Sequence, residues 1–321
     1  MRIFCKYLLL TFFIFLFPYI SLANDSAACI GMGGLVFQKN DQIKMVSEDL
    51  RISPSLIQVE YLYRNESDKD IELLVAFPIP SVDFVYSMMA IPRLNWWNFK
   101  TLVNGQEIEW FPLDPNEKDG GKGYYPENFQ RFITESQIEK FNPYIEDGSG
   151  CYGSKYPTEK YYSILRVQKF PANETVKVYH EYSPAYGSGI PYYDVYQMKD
   201  AILGINRSKD EKKMDKSWFK CIHKRDSLVE IDKMIKDLEE TPVEDRPFMG
   251  ELVWYRTIGY ILKTGNNWNG PIKKFRLEIT GPPPFILQTC FKGLKRVSES
   301  TYLFEAENYE PKENLNLTFY F

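Results

Sequence analysis

The sequence predicts a mainly β protein, an antiparallel β-sandwich with helical insertions. Three observations carry that prediction. Short segments near both ends of the chain alternate apolar and polar residues, clusters of Asn, Gly, Asp and Pro separate them, and one strong helical period interrupts them.

The order of elements begins with "MRIFCKYLLLTFFIFLFPYISLAND". Arg2 and Lys6 form a basic start, Tyr7 to Phe17 an apolar run, and Ser21-Leu22-Ala23 a small-x-small cleavage site. This predicts a signal peptide over 1–23, cut after Ala23, so that Asn24 begins the mature chain. Pro18 interrupts the run before the roughly 20 residues needed to span a bilayer. No later stretch is long and apolar enough for a transmembrane helix, so export to the periplasm or beyond is expected.

Ile57, Val59, Tyr61 and Tyr63 alternate with polar residues as a half-buried strand does. A polar turn, Asn65 to Asp70, leads to a second strand over Ile71 to Pro80. Tyr161 to Phe170 and Thr175 to Tyr182, joined by "PANE", read as a further hairpin. Towards the C-terminus, strands are predicted over 252–263, 272–280, 301–306 and 315–321. The alternation ending at Phe321 resembles the last strand of an outer-membrane barrel. Helices, cysteines and long loops elsewhere make it the last strand of a sandwich instead.

The helical insertions are of two kinds. Residues 111–157 are rich in loop formers and enclose a weaker helical pattern over Asn128 to Phe141. Asp226 to Glu240 is the better helix: Ser227 and Glu230 fit a capping box, and Leu228, Ile231, Ile235 and Leu238 make one apolar stripe for packing on a sheet. The chain thus divides into a region over 24–205 carrying the 111–157 insertion and a helix-plus-β region over 206–321, which could belong to the same domain.

Composition excludes several functions. Without the signal peptide the chain has 37 basic and 43 acidic residues, a net charge of −6, which argues against nucleic acid or an anionic membrane surface as partner. Four cysteines remain after cleavage: Cys29, Cys151, Cys221 and Cys290. An even number in an oxidising compartment predicts two disulfides, with three possible connectivities.

Catalytic and metal motifs are sparse. His180 and His223 are the only histidines, and neither stands at HExxH or HxH spacing, so His180 reads as a hydrogen-bonded or solvated strand residue. "DGSGC" and "YGSGI" lack the first glycine of a nucleophile elbow. The loop from Asp114 matches a calcium loop only partly, with Lys118 at a ligand position and Tyr125 where the bidentate glutamate belongs. "GMGGLV" lacks the third glycine of a dinucleotide loop. Glu48 and Asp49 are adjacent in an extended segment and face opposite ways, so they do not form a working carboxylate pair. No metal and no cofactor are expected.

One stretch offers a candidate binding site. "TGNNWNGP" lies between alternating Ile258, Tyr260, Leu262 and Phe275, Leu277, Ile279, which predicts a hairpin turning at Asn269-Gly270. The packed reading places Trp268 over the end of the core, its indole N–H on a backbone carbonyl. The alternative exposes Trp268 beside Asn266 and Asn267 as a stacking surface for a sugar. The packed reading is the expectation.

Two stretches resemble a known family. Residues 24–80, with "GGLVF", "SEDLRIS", "YRNESDKD" and "VAFPIP", together with "YILKTGNNWNGPIKKFRLEI", are similar to the bacterial exported family called domain of unknown function 4424. That family carries cysteines where Cys221 and Cys290 stand, so the resemblance implies their pairing. Cys29 and Cys151 depart from its pattern and are left as the second pair. "YRNESD", "AFPIP" and "KFPANETVKVYHEYSP" resemble, more distantly, strands of the vault/inter-α-trypsin β-sandwich, and neither resemblance implies an activity. The expectation is a non-enzymatic envelope protein, structural or binding an envelope protein or glycan. The alternative is a carboxylate-dependent hydrolase of envelope glycans.

Overall fold

The computed structural model describes residues 24–31, 34–79, 98–113, 162–184, 186–189, 194–205, 221–246 and 252–321. The predicted signal peptide, the helix over 128–141, the Asp114 loop and Cys151 lie outside the described residues, as does the side chain of Cys29.

The protein is mainly β, with seventeen strands in three sheets among the described residues. The five-stranded sheet runs β2 (Gly34–Gln38), β1 (Ser26–Gly31), β5 (Ile71–Ile79), β9 (Tyr162–Phe170) and β8 (Phe111–Leu113). The eight-stranded sheet runs β15 (Lys295–Arg296), β16 (Thr301–Tyr309), β13 (Ile272–Thr280), β3 (Ile43–Ile52), β4 (Ile57–Asn65), β10 (Thr175–Tyr182), β6 (Lys100–Val103) and β7 (Gln106–Glu107). A four-stranded sheet contains β11 (Tyr186–Gly189), β12 (Tyr255–Tyr260), β17 (Leu315–Tyr320) and β14 (Ile286–Gln288). Pairing is antiparallel except between β3 and β13, which run parallel with Leu50 opposite Leu277.

One hydrophobic core draws on all three sheets and on both sides of the 205/206 division. The alternation in β4 sends Ile57, Val59, Tyr61 and Tyr63 inward. Tyr61 meets Tyr260 of the four-stranded sheet through their hydroxyls at 2.9 Å, while Tyr63 packs edge-on to Phe170 of the five-stranded sheet. The same face of the eight-stranded sheet is therefore covered by both others.

Three predicted hairpins are corrected: β4 and β5, joined by the Asn65–Asp70 turn, lie in different sheets. β9 and β10 are consecutive and tightly linked, yet they lie in different sheets; so do β12 and β13, which flank Trp268. Each connection carries the chain across the sandwich, because the apolar faces of the two strands meet through the core rather than side by side.

Among the described residues two α-helices pack outside the four-stranded sheet. The sequence reading omitted α1 (Val195–Leu203), whose Asp194 and Gln197 form a reciprocal capping box and whose end is a left-handed Gly204. Helix α2 spans Lys224–Glu240 and buries Ile231 and Leu238 of the predicted stripe. The predicted Ser227–Glu230 capping box does not form. Ser227 already lies inside the helix, donating its N–H to the His223 carbonyl, and Arg296 Nη2 binds the Glu230 carboxylate at 2.7 Å. Among the described residues no helix is long and apolar enough to cross a membrane.

Cys221 and Cys290 form a disulfide that ties the approach to α2 to the segment after β14. Closing a loop of 69 residues removes about 4 kcal/mol of unfolded-chain entropy. Thermal melts with and without reductant should therefore show a lower midpoint on reduction, and Cys221→Ala/Cys290→Ala should lower the midpoint in the absence of reductant.

Candidate functional site

A buried polar cluster gathers around Asn24, Asp25 and Ser26, all three inaccessible to solvent. Strand parity supplies most of its other members. In β10, Val176, Val178 and Tyr182 point into the core, and His180 shares their face. In β9, Arg166 shares the inward face of Ile164 and Phe170. In β3, a bulge between Met45 and Ser47 switches the inward parity, so that Glu48 follows Met45 into the core while Asp49 stays at the surface with Arg51 and Arg276. The opposed facing expected of Glu48 and Asp49 is what the strand shows.

Arg166 grips Asp25 with two parallel hydrogen bonds, Nη1 to Oδ1 at 2.9 Å and Nη2 to Oδ2 at 2.6 Å. Tyr63 donates a third to Asp25 Oδ2, at 3.2 Å. His180 Nε2 lies 3.2 Å from Asp25 Oδ1, and its Nδ1 lies 3.0 Å from Thr101 Oγ1. A neutral imidazole has a single N–H, and a bare ring nitrogen facing a carboxylate would be repelled. The proton therefore sits on Nε2 and Nδ1 accepts from Thr101, so the 3.3 Å approach of Arg166 Nη1 to Nε2 is a contact and not a hydrogen bond.

Burial alone would raise the Asp25 pKa, but the Arg166 charge, with His180, holds it well below the usual carboxylate range. Burial keeps His180 neutral, against the pull of Asp25. Glu48 goes the other way. Burial pushes it up to about 8, with Asp25 pushing further and the Asn24 amide and Tyr260 pulling back. Asn24 Nδ2 donates to Glu48 Oε2 at 2.9 Å, and Glu48 Oε1 accepts no hydrogen bond. Two buried carboxylates thus stand close together, one ionised and one protonated at neutral pH. Neither reaches solvent, since Glu48 is 1 % exposed and Asp25 is fully covered.

Trp268 belongs to the same cluster. The turn Lys263–Asn267 before it is 3₁₀-helical, and Gly270 after it supplies the positive φ that an Asn-Gly turn requires. The Trp268 indole is fully buried, donates to the Asp25 carbonyl at 2.9 Å, and packs on Tyr63 with ring centres 4.8 Å apart. The alternative that offered its ring to a sugar is corrected, because no part of the ring reaches the surface. The flanking amides are engaged too: Asn266 donates to the Pro311 carbonyl and Asn267 to Ser26 Oγ.

A separate concavity lies where α2 meets the four-stranded sheet. It encloses about 250 Å³ and is walled by Val195, Met234, Leu238, Val253 and Phe321, with Asp237 and Arg246 among its polar lining. Arg246 Nε donates to the Thr241 carbonyl at 3.0 Å. Trp254, next to wall residue Val253, is 45 % exposed. Among the described residues no group of three His, Cys, Asp or Glu side chains converges as a metal site would require.

Comparison with known proteins gives the following. The model of the family described as "Domain of unknown function (DUF4424)" matches residues 23–112 and 143–317. No curated protein matches the sequence. Among solved structures, one from Legionella pneumophila, described as a "putative nutrient binding protein", superposes with a TM-score of 0.47 at 15 % identity, over 94 % of this chain and 72 % of that one. An M1 zinc metallopeptidase from Deinococcus radiodurans superposes with a TM-score of 0.30 at 8 % identity, over 88 % of this chain and 43 % of its own.

Two expectations follow from the cluster. Trp268→Ala should cost about 3–5 kcal/mol in denaturant unfolding, and Trp268→Phe about 1–3 kcal/mol, because it leaves the Asp25 carbonyl unmatched. Arg166→Leu should cost about 3–5 kcal/mol at neutral pH, since it strands a buried carboxylate. The folded Asp25 pKa is depressed, so its stabilisation is present above the ordinary carboxylate range and is lost as pH falls through the folded value. Unfolding measured at neutral and acid pH should therefore show a smaller gap between parent and Arg166→Leu in acid.

Proposed function

The chain belongs to the DUF4424 family, and from that premise we propose that it is an exported, non-enzymatic binding protein of the bacterial envelope. A disulfide between Cys221 and Cys290 fits an oxidising compartment, and the first 23 residues have the pattern of a cleaved signal peptide. The observation that carries the binding reading is the cavity between α2 and the four-stranded sheet. Its walls are apolar and its polar groups are few, which is the usual make-up of the lining of a small-molecule site. At about 250 Å³ it suits a compact, mainly apolar molecule whose polar end meets Arg246 or Asp237.

A carboxylate-dependent hydrolase is the second reading, because Asp25 and Glu48 are shifted in opposite directions as acid–base pairs are. A hydrolase must admit substrate and water, and both carboxylates are sealed inside the core. Binding is favoured for that reason.

Thermal melting against short fatty acids and against aliphatic and aromatic amino acids tests the proposal. One of these classes should raise the midpoint with concentration, and Met234→Trp, which fills the cavity from a partly buried wall position, should abolish the rise while leaving the unliganded melt near the parent's. No rise with any of them, or a rise that survives Met234→Trp, would refute the cavity as the site.

A further inference from the structure

Asn24 carries an unbalanced hydrogen-bond account. Its carbonyl accepts from Thr264 Oγ1 at 2.7 Å and its amide nitrogen donates to Glu48, but its Oδ1 accepts nothing. Beside it, Glu48 Oε1 also accepts nothing. With Glu48 ionised, both unmatched atoms are buried acceptors, a combination that folded proteins rarely leave standing. Protonation, which burial favours while no cation is present, supplies one donor but gives up the charge. What the place requires is a donor with more than one N–H, and next to a carboxylate a cationic donor fits best.

The groups around Glu48 do not provide one. Asp25, Tyr61, Tyr63, Tyr260 and Tyr309 surround it electrostatically. Burial raises the tyrosines and keeps them neutral, and the Tyr260 hydroxyl, paired with Tyr61 and also bearing on Glu48, offers one neutral O–H at most. Arg166 is committed to Asp25. Space is tight as well, since a side chain on Gly265 would approach Asn24 Nδ2 at 3.1 Å.

The sequence places a latent cation at this point. Ser21-Leu22-Ala23 is a signal-peptidase site whose cut would make Asn24 the first residue. We propose that cleavage after Ala23 releases the α-ammonium of Asn24 into the core, where the Glu48 carboxylate holds it, so that export processing completes the buried cluster. The reaction is an ordinary peptide hydrolysis catalysed by a signal peptidase. The bond from the Ala23 carbonyl carbon to the Asn24 nitrogen breaks and water supplies the carboxylate oxygen. The new amine then takes a proton and gains three N–H donors, for Asn24 Oδ1 and Glu48 Oε1 to accept. Before the cut Glu48 is a buried acid without a cation, and afterwards it is one half of a buried ion pair. The inference is independent of the ligand cavity and survives if that reading fails.

The sign of one substitution separates the two states. Full-length protein should be exported and purified, and compared with a chain that keeps Ala23 ahead of Asn24. The exported protein should begin at Asn24 with a free amine. In it, Glu48→Gln should lower the melting midpoint by several degrees at neutral pH, because it strands an ammonium. In the chain retaining Ala23, the same substitution should raise the midpoint or leave it unchanged, because it replaces a costly buried acid by a neutral amide. A measurement on the parent alone backs this up: the Asn24 amine should react with an acylating reagent at least about tenfold more slowly in the folded than in the unfolded protein. An exported chain beginning elsewhere, the same sign of effect in both backgrounds, or equal reactivity folded and unfolded would each overturn the proposal.

Discussion

The ion pair between Asp25 and Arg166 is the constraint on which the rest of the core depends. A carboxylate with no solvent exposure is tolerable only with a cation and a full set of hydrogen bonds, and Asp25 has both. Its partners come from three strands, Arg166 from β9, Tyr63 from β4 and His180 from β10, which belong to two different sheets. The pair therefore works as a tie between layers as well as a local contact. It also fixes the His180 tautomer, and through it the Thr101 hydroxyl in β6.

The Asp25 backbone extends the tie to the four-stranded sheet. Its carbonyl accepts from Trp268, and its neighbours Asn24 and Ser26 accept from Thr264 and Asn267, all in the crossing between β12 and β13. This explains how a loop longer than an ordinary hairpin turn is held without a hairpin beneath it. Trp268 fills the space between the layers, and Asn24–Ser26 supplies the acceptors for the side chains of Thr264, Asn267 and Trp268. Hydrophobic alternation sets which faces meet, and the polar segment sets how they are aligned.

Much of the fold was legible in the sequence, and the failures have identifiable physical causes. The strands over 57–65, 175–182 and 272–280 follow from alternation alone. Alternation does not reveal whether two consecutive strands pair in one sheet or face each other across a core, since both arrangements bury the same residues, and this is why β4–β5, β9–β10 and β12–β13 read as hairpins. The capping box at Ser227 failed because a local pattern competes with tertiary partners, here Arg296 on Glu230. Helix α1 was readable from Asp194, Gln197 and Gly204, the cap residues at its two ends.

The polar cluster was less legible, though not silent. His180 shares its parity with Val176, Val178 and Tyr182, and Arg166 with Ile164 and Phe170, so each was a charged or polar residue on an apolar face. Glu48 was hidden by the bulge after Met45, which no periodicity announces, and Asp25 by lying just ahead of the first strand. A polar residue at a core position is costly unless a partner waits there, so several such positions in one chain are best taken as pointing to one another. Arg166 and His180 in this chain point to a buried anion, and Asp25 is that anion. Glu48, by the same logic, points to a buried cation.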